Sequence, residues 1–454
     1  MKTTKYQKLV NELKSAIDDG RYLPGAKLPS VREMMGMHQL SLSTVTTAFA
    51  ILEEHGLIEP RARSGYFVRP SQKASGHWRS MGDEELRGGF HWWPDAELFP
   101  RERLRKLTAT VVRRHPDLAI QSPVNCNPRL TRELAKRCAE TGCYVYEQDI
   151  MITHGVTEAL SVALHSTTTA ADKVLLQSPV APLYKALCDS LGLETVLLDA
   201  RLPEAEQLRA FEILAAMEDG PRVALLASNF HCPTGTSLSL ATKQEILRIA
   251  RARDVVIIED DSSGDLHFDS SRPLPIKAFD REGEVIYVMA ATKTIAPGLQ
   301  LGWIVSGEPW RDRIEQTKSI SAAAVDHLPQ LVMAEFLAHG SHLPHLRKLR
   351  EALKVRASLF EGILQSKLAP VEGLCSEPGG YTRFLSAPAL DIDEDLEQTC
   401  RQRWPDLFTF QKPYFRFKSG GISVNMSFEL NKNQCRSLQE FGDFLSEYVK
   451  QRMA

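Results

Sequence analysis

The chain has 454 residues, of which 43% are hydrophobic and 25% charged, the balance of a globular protein of two or three domains. Its 55 basic and 57 acidic side chains give a net charge of −2, which excludes a polycationic nucleic-acid-packaging protein. The sequence holds no apolar run of about 18 residues, and its N-terminus is charged and amphipathic rather than a secretion signal. Eight scattered cysteines without a CxxC pair favour reduced thiols over disulfides or a metal site. We therefore expect a cytoplasmic protein with no membrane partner.

Charge is distributed unevenly along the chain. Residues 1–70 carry ten Lys or Arg and seven Asp or Glu, a net charge of +3, which leaves −5 for the remainder. The stretch 69–87 is polar and turn-forming, without helical or strand periodicity. The sequence therefore predicts a small basic domain at 1–68, a linker at 69–87 and a larger acidic domain at 88–454.

The first 68 residues predict three helices followed by a hairpin. Apolar side chains within residues 6–17 recur at helical spacing. Ser30, with Glu33 three residues later, forms the capping box of a second helix. Either Ser41 or Ser43 can cap a third helix that starts near residue 44. Two short apolar strands and a turn then complete the predicted small domain.

The third helix and the hairpin carry polar residues that suit contact with nucleic acid. Short hydroxyl side chains at the helix start can approach phosphates and base edges in a major groove: Ser43, Thr44 and Thr47. The hairpin has Arg61 and Arg63 near its tip. Taken singly these features are weak, because a serine or threonine at a helix start is usually only a cap. Their order over 65 residues is stronger evidence of contact with nucleic acid than any one of them alone.

This order resembles the DNA-binding domain of the GntR family, through the segments PGAKLPSVREM, STVTTAFAILEEHGLIE and RSGYFV. The resemblance implies a winged helix-turn-helix domain with double-stranded DNA as its partner. It also implies that DNA is contacted from the second helix, the third helix and the wing, by Arg32, Ser43, Thr44, Thr47, Arg61, Arg63 and Gly65.

The larger domain alternates short apolar strands with helical stretches, as an α/β fold with a mostly parallel sheet requires. Strands are predicted at 149–154, 173–176, 223–227, 255–259 and 285–289. The first strand leads through Gly155 into a helix whose free N–H groups can hold a phosphate. Asp260 and Lys293 follow two of the strands, and ligands in such sheets lie at the carboxyl ends of strands. The two side chains can therefore converge, although a simple salt bridge is the commoner role of such a pair.

Residues 88–454 resemble the fold-type I aminotransferases, and the whole chain resembles the MocR-type transcriptional regulators, which join a GntR head to that domain. The matching segments are WPDAELFP, ITHGVTEAL, PTGTSLS, IIEDDSSGDL, YVMAATKTIAPGLQLGW and EPGGYTRF. The resemblance implies an α/β fold with a large part at about 115–320 and a smaller α+β part at about 321–454. It also implies a homodimer and a site for pyridoxal 5'-phosphate (PLP).

The resemblance assigns the PLP site residue by residue. Lys293 would bind the cofactor aldehyde as a Schiff base, and Asp260 would pair with the pyridine nitrogen. The phosphate would lie against the backbone of Gly155, Val156 and Thr157. The hydroxyl groups that would help to hold the cofactor are those of Thr157, Thr292 and Thr294.

Several positions depart from the family pattern. Gln300 replaces the arginine expected on the phosphate, and loss of such a charge-assisted contact costs about 2 kcal/mol or more. Cys232 replaces an asparagine and Ser262 a tyrosine, both expected near the ring oxygen of the cofactor. Three further positions lack an expected hydroxyl, a stacking ring and a carboxylate-binding arginine: Ala290, Ala181 and Ser423.

Three interpretations of this pocket follow. PLP binds, but more loosely; or the pocket has lost PLP and senses another small molecule; or the domain is only a dimerisation scaffold. In each case ordinary transamination is disfavoured, because little would hold a substrate in a reactive pose. The sequence therefore predicts a DNA-binding regulator with a small-molecule effector, PLP or a related amine or amino acid. The competing prediction is a working PLP-dependent aminotransferase with a vestigial head.

Overall fold

The computed structural model describes residues 5–18, 21–22, 25–54, 57–61, 64–68, 93–121, 125–321, 324–367, 379–386, 394–404, 421–427 and 431–453. The chain divides into two compact units, Met1–Leu86 and Arg87–Ala454. The predicted linker and Arg63 lie outside the described residues. In the part of the chain that is described, no helix combines the length and apolar character needed to cross a membrane.

The first unit contains three helices and an antiparallel hairpin: α1 (Lys5–Asp18), α2 (Val31–His38), α3 (Leu42–Glu54), β1 (Ile58–Arg61) and β2 (Gly65–Val68). The predicted capping box starts α2, since Glu33 N donates to Ser30 Oγ (3.3 Å) and Ser30 N to Glu33 Oε2 (2.7 Å). Ser41 caps α3, which begins two residues earlier than predicted. All five elements contribute to one apolar core, formed by Leu9, Val10, Leu13, Leu28, Met34, Val45, Ala48, Phe49, Leu52, Ile58 and Val68.

The second unit is built on a seven-stranded sheet of order β3-β9-β8-β7-β6-β4-β5. Its strands are β3 (Ile150–His154), β4 (Lys173–Ser178), β5 (Glu194–Asp199), β6 (Val223–Leu226), β7 (Val256–Asp260), β8 (Val285–Ala290) and β9 (Leu301–Val305). Neighbours are parallel except at β9, which is antiparallel to both β3 and β8. The predicted mostly parallel sheet is therefore confirmed, and β5 and β9 are additional to the predicted strands.

Helices cover both faces of this sheet. The helices between residues 101 and 365 are α4 (Arg101–Arg114), α5 (Pro128–Glu140), α6 (Gly155–Thr167), α7 (Pro182–Ser190), α8 (Glu204–Ala216), α9 (Leu240–Ala252), α10 (Glu308–Ser321), α11 (His327–Ala338) and α12 (His342–Gln365). Ile257 packs in a cluster with α8 and α9, and Ile258 packs in another with α6 and α7. Because successive side chains of a strand point to opposite faces, the two clusters lie on opposite sides of the sheet.

The C-terminal elements form a smaller α+β part. The strands β10 (Thr382–Ser386) and β11 (Gly421–Asn425) pair antiparallel, and α13 (Glu394–Arg403) and α14 (Lys432–Met453) accompany them. Together with the second half of α12 they bury one apolar cluster, which includes Phe360, Leu385, Leu396, Trp404 and Phe441.

The topology gathers three strand ends at one edge of the sheet. Since β9 runs antiparallel between β3 and β8, the carboxyl ends of β3, β7 and β8 lie on the same side. Gly302 on β9 lies directly against Gly155, the first residue of α6. A Cβ at Gly302 would lie 2.5 Å from the Gly155 carbonyl oxygen, so this close approach requires glycine. We call the region at these three strand ends the strand-edge pocket.

Candidate functional site

Asp260 is the last residue of β7, and its carboxylate accepts three hydrogen bonds. Tyr184 Oη donates to Oδ2 (2.7 Å), and the backbone N and Oγ of Ser262 donate to Oδ1 (2.9 and 2.5 Å). Burial and the charge of Asp260 raise the pKa of Tyr184 well above its usual value, so its hydroxyl remains a donor. Asp260 is only 6% exposed. The carboxylate therefore has a fixed orientation in a buried setting.

Lys293 lies three residues beyond β8, at the same edge of the sheet. Its Nζ donates to Ser263 Oγ at 3.1 Å. Because Ser263 is three residues beyond Asp260, this hydrogen bond joins the loop after β8 to the loop after β7. The structure thus brings Lys293 and the end of β7 together, and Thr292 and Thr294 lie buried on either side of the lysine.

The loop after β6 places Cys232 and His231 near both of these groups. Burial raises the pKa of Cys232, Lys293 opposes that rise, and Asp260 adds to it. Burial and the charge of Lys293 lower the pKa of His231 to about 4, so its imidazole is neutral at pH 7. The Nδ1 of His231 bonds to Thr234 Oγ1 (2.9 Å), and its Nε2 is buried with no partner among the described residues.

Tyr381, which directly precedes β10, belongs to the same group of side chains. Its pKa is raised well above the usual value by burial and by its proximity to Cys232 and Asp260. One end of the strand-edge pocket is therefore lined by a carboxylate, an amine, a thiol and a phenol. We call it the amine end.

The start of α6 forms the other end, which we call the helix end. Gly155 has φ +72°, in the left-handed region that favours glycine. A Cβ there would lie 3.3 Å from Gln300 Oε1 and 4.0 Å from Thr292 Cγ2. Gln300 Nε2 donates instead to the Pro297 carbonyl at 3.0 Å. The structure therefore brings Gly155, Thr292 and Gln300 together, and the long side chain against the helix start is uncharged.

Val156 and Thr157 follow in the first turn of α6, where backbone N–H groups have no partner within the helix. Glu158, in the same turn, accepts hydrogen bonds from the backbone N and the ring Nδ1 of His154. Its other oxygen pairs with Lys318, which is fully buried. Since Lys318 is committed to Glu158, an anion at this helix end would depend on backbone N–H groups and hydroxyls.

The structure does not bring a free arginine to the pocket at β10. Arg383 is 1% exposed, and its Nε donates to Glu361 Oε1 at 2.9 Å. Its Nη1 donates to the carbonyls of Gly379 and Thr382. This guanidinium is committed to a buried ion pair. Ser423 lies on β11 opposite Phe384.

The predicted DNA-contacting residues that the structure describes lie at the surface of the first unit. Arg32, Ser43 and Thr47 are exposed and Thr44 is partly buried. The Oγ of Ser41 lies 3.1 Å from Ser43 Oγ and 2.8 Å from Thr44 Oγ1, so two of these hydroxyls take part in capping α3. Gly65 starts β2 with φ +102°. Arg61 is ion-paired with its neighbour Glu59.

Several residues of these sites were not predicted from sequence, namely Tyr184, Ser263, His231, Tyr381 and Glu59. Ser263 follows Asp260 in the loop after β7, so it had a local signal. The other residues of the amine end are distant in sequence from Asp260 and Lys293, and the tertiary fold brings them together from the loop after β6, from α7 and from the residue before β10.

Two family models match the chain. Residues 5–68 match the gntR family of bacterial regulatory proteins, and residues 96–384 match the class I and II aminotransferases. The chain therefore belongs to the class I and II aminotransferase family, to which a GntR-type DNA-binding domain has been joined. This is the architecture of the MocR-type transcriptional regulators.

Relatives that cover most of the chain include transcriptional regulators and an aminotransferase. The HTH-type transcriptional regulators YdcR and YjiR of Escherichia coli are 29% and 28% identical, over 86% and 97% of this chain and 88% and 98% of theirs. The α-aminoadipate aminotransferase LysN of Thermus thermophilus has a TM-score of 0.69 at 21% identity, over 83% of this chain and 96% of LysN. The structural likeness shows the fold, and the sequence relatives together with the head identify the chain as a DNA-binding transcriptional regulator.

Proposed function

We propose that this regulator binds PLP in the strand-edge pocket, through Lys293 and Asp260, and that binding changes its affinity for DNA. The observation that carries the proposal is the pairing of an amine and an oriented carboxylate at adjacent strand ends. Lys293 Nζ is held by Ser263, and Asp260 is held by Tyr184 and Ser262.

The amine end fits the ring and aldehyde of PLP. A carboxylate offers about four acceptor positions, so Asp260 can accept one more donor beside Tyr184 and Ser262. A pyridinium N–H is such a donor, and the buried setting strengthens the hydrogen bond. Bound PLP would supply an aldehyde carbon that bonds to an amine, and Lys293 is the amine at this position. Ser263 would orient that amine before the bond forms.

The helix end fits a phosphate less well. The N–H groups at the start of α6 and the hydroxyls of Thr157 and Thr292 can hold an anion. Gln300 supplies an uncharged amide where a guanidinium would form bidentate, charge-assisted bonds. We therefore expect PLP to bind more weakly than in a pocket with an arginine at this position.

Regulation is favoured over transamination by the state of Arg383. An aminotransferase must orient the carboxylate of its amino-acid substrate, and an arginine fork is suited to that task. The buried arginine on β10 is instead committed to Glu361 and two backbone carbonyls. A pocket that holds PLP while the arginine on β10 is committed elsewhere suits a sensor.

We further propose that the chain acts as a homodimer whose heads bind two DNA half-sites. A two-fold dimer presents the same DNA-binding surface twice, which matches paired operator sequences. A ligand can change DNA affinity only if it binds more tightly to one arrangement of the heads than to another. The effect of PLP on DNA binding therefore reports on such a difference.

The test is DNA affinity of the full chain, measured by fluorescence anisotropy on a duplex from its own promoter, with and without PLP. We expect PLP to change the dissociation constant at least threefold in wild type and not at all in Lys293→Ala. Lys106, an exposed residue of α4, provides the matched control, since Lys106→Ala should respond as wild type does. An equal response in Lys293→Ala, or none in wild type, would refute the proposal.

A further inference from the structure

The outer face of the wing carries a carboxylate beside a predicted DNA-contacting arginine. Glu59 and Arg61 are alternate residues of β1, so their side chains leave the same face of the strand. Phe67 on β2 pairs with Glu59 in the antiparallel register. The opposite face packs into the core, with Ile58 fully buried and Val68 only 2% exposed. Glu59, Arg61 and Phe67 therefore form a cluster on the outward side of the hairpin.

Arg61 makes direct contacts with both other members of this cluster. Arg61 Nε donates to Glu59 Oε1 at 3.0 Å, and Nη2 lies 2.9 Å from the same oxygen. The guanidinium carbon lies 4.4 Å from the centre of the Phe67 ring, in cation–π contact. The arginine is therefore held along the hairpin by two neighbours, although its side chain remains partly exposed.

The ion pair with Glu59 occupies N–H donors of Arg61 that could otherwise bind a DNA phosphate. A guanidinium has five N–H donors, and a phosphate binds best to one of its two bidentate edges, Nε–Nη2 or Nη1–Nη2. In the wing, the Nε and Nη2 donors of one edge both face Glu59. A phosphate that binds this edge must displace Glu59, and the carboxylate left beside it would repel the phosphate.

We propose that Glu59 restrains the wing, competing with the DNA backbone for Arg61 and so lowering the affinity of the head for DNA of any sequence. The side chains of Arg61 and Glu59 are 48% and 32% exposed, and ion pairs so exposed to water exchange readily. Glu59 therefore reduces DNA affinity without abolishing it. Low backbone affinity leaves discrimination among sequences to α3, because phosphate contacts carry no sequence information.

The proposal rests on DNA binding by the head and is independent of PLP. Its test is the affinity of the full chain, without PLP, for a random-sequence duplex of about 30 base pairs. Glu59→Gln keeps the shape of the side chain and removes its charge. We expect it to tighten binding about three- to fivefold at about 100 mM salt. Glu53→Gln removes the same charge from an exposed position at the end of α3 and should change affinity less than twofold.

A double-substitution cycle shows whether Glu59 acts through Arg61. Arg61→Ala should weaken binding and make its salt dependence shallower by about one phosphate contact. With Arg61→Ala present, Glu59→Gln should gain no more than Glu53→Gln does. Far-UV circular dichroism of each variant verifies that the head is folded.

Three results would overturn the proposal. Glu59→Gln could change affinity no more than Glu53→Gln, which would mean that the carboxylate does not compete with DNA. It could weaken binding, which would mean that Glu59 orients Arg61 for DNA. Its gain could also persist in the Arg61→Ala background, which would show a general charge effect and no competition for that arginine.

Discussion

At the amine end of the strand-edge pocket, Asp260 accepts hydrogen bonds from Ser262 in the loop after β7 and from Tyr184 on α7, and Lys293 donates one to Ser263 in the same loop. At the helix end, Gly155 faces Gln300, whose amide is turned to the Pro297 carbonyl. One end has the ionisable groups and the oriented contacts of a binding site. The other has the close backbone approach of an anion site without the positive charge that usually completes it.

The difference between the two ends shows which part of PLP recognition this pocket retains. Bonding to an amine and pairing with a carboxylate identify an aldehyde-bearing pyridine, whereas an arginine would mainly add affinity for its phosphate. A sensor must release its ligand when the ligand concentration falls, so an affinity below that of a resident cofactor suits regulation. An enzyme gains from permanent occupancy. The contrast between the two ends can be tested by substitutions at either end of the pocket.

Removing the carboxylate at the amine end should have the largest effect. Asp260→Ala deletes the partner of the pyridine nitrogen and leaves the buried Tyr184 hydroxyl without its acceptor. We expect PLP affinity to fall about 100-fold, the equivalent of about 2.7 kcal/mol. An absorbance titration with PLP measures this change. Asp312→Ala, on the exposed side of α10, is the control and should leave the affinity unchanged. A loss below threefold would remove Asp260 from the site.

Lowering the pH should reduce the stability of the second unit through protonation of His231. The pKa of this histidine is lowered from 6.5 to about 4 by burial and by Lys293. A lowered folded-state pKa means that the stabilising contribution is present above pH 6.5 and is lost as the pH falls towards 4. Between pH 7 and 4.5 wild type should lose about 2–3 kcal/mol through this group.

The measurement is unfolding by denaturant at pH 7 and pH 4.5, followed by tryptophan fluorescence. Five of the six tryptophans lie in the second unit, so fluorescence reports mainly on that unit. His231→Gln cannot titrate, and its loss of stability between the two pH values should be smaller by about 2 kcal/mol. An equal loss in both proteins would show that His231 does not control acid sensitivity.

Restoring a charge at the helix end should strengthen PLP binding selectively. Gln300→Arg places a guanidinium against the start of α6, and a charge-assisted phosphate contact is worth about a 10- to 30-fold gain in affinity. Pyridoxal, which lacks the phosphate, should bind wild type and variant equally. Gln300→Met is the uncharged control. A gain of similar size for pyridoxal would mean that residue 300 does not face the phosphate.

Removing the Tyr184 hydroxyl, which donates to Asp260, should have the smallest effect on PLP affinity. Tyr184→Phe removes the hydroxyl that donates to Oδ2 and keeps the buried ring. Ser262 still holds Oδ1, so PLP affinity should fall about five- to tenfold, less than for Asp260→Ala. An absorbance titration resolves the two variants. If Tyr184→Phe binds PLP as wild type does, the phenol does not orient the carboxylate for the ligand.

Much of the fold was predictable because its signals are local. The capping box at Ser30, the core-facing side chains of α3 and the apolar run before Asp260 each follow from a few adjacent residues. The strand β9 was not predicted, although it determines the geometry of the site. It lies close in sequence to β8 and antiparallel to it, and its short apolar run continues the segment that carries Lys293.

The candidate site was predictable only for residues that follow a strand or lie in a segment that resembles the family. Asp260 and Lys293 were located because each follows a strand, and the sheet order then brings them together. Tyr184 reaches Asp260 across 76 positions of sequence, and no local pattern indicates that contact. Arg61 was predicted to contact DNA, but its partner Glu59 was not, because a carboxylate two residues away on a strand is ordinarily a solvated neighbour. Such pairings depend on tertiary geometry.

The central claim is that a DNA-binding regulator holds PLP covalently through Lys293. The most direct measurement is the absorbance spectrum of the full chain with and without PLP, for wild type, Lys293→Ala and the control Lys106→Ala. We expect a new absorption band in wild type and Lys106→Ala that is absent in Lys293→Ala. The claim would be contradicted if wild type showed no band at saturating PLP, or if the band remained in Lys293→Ala.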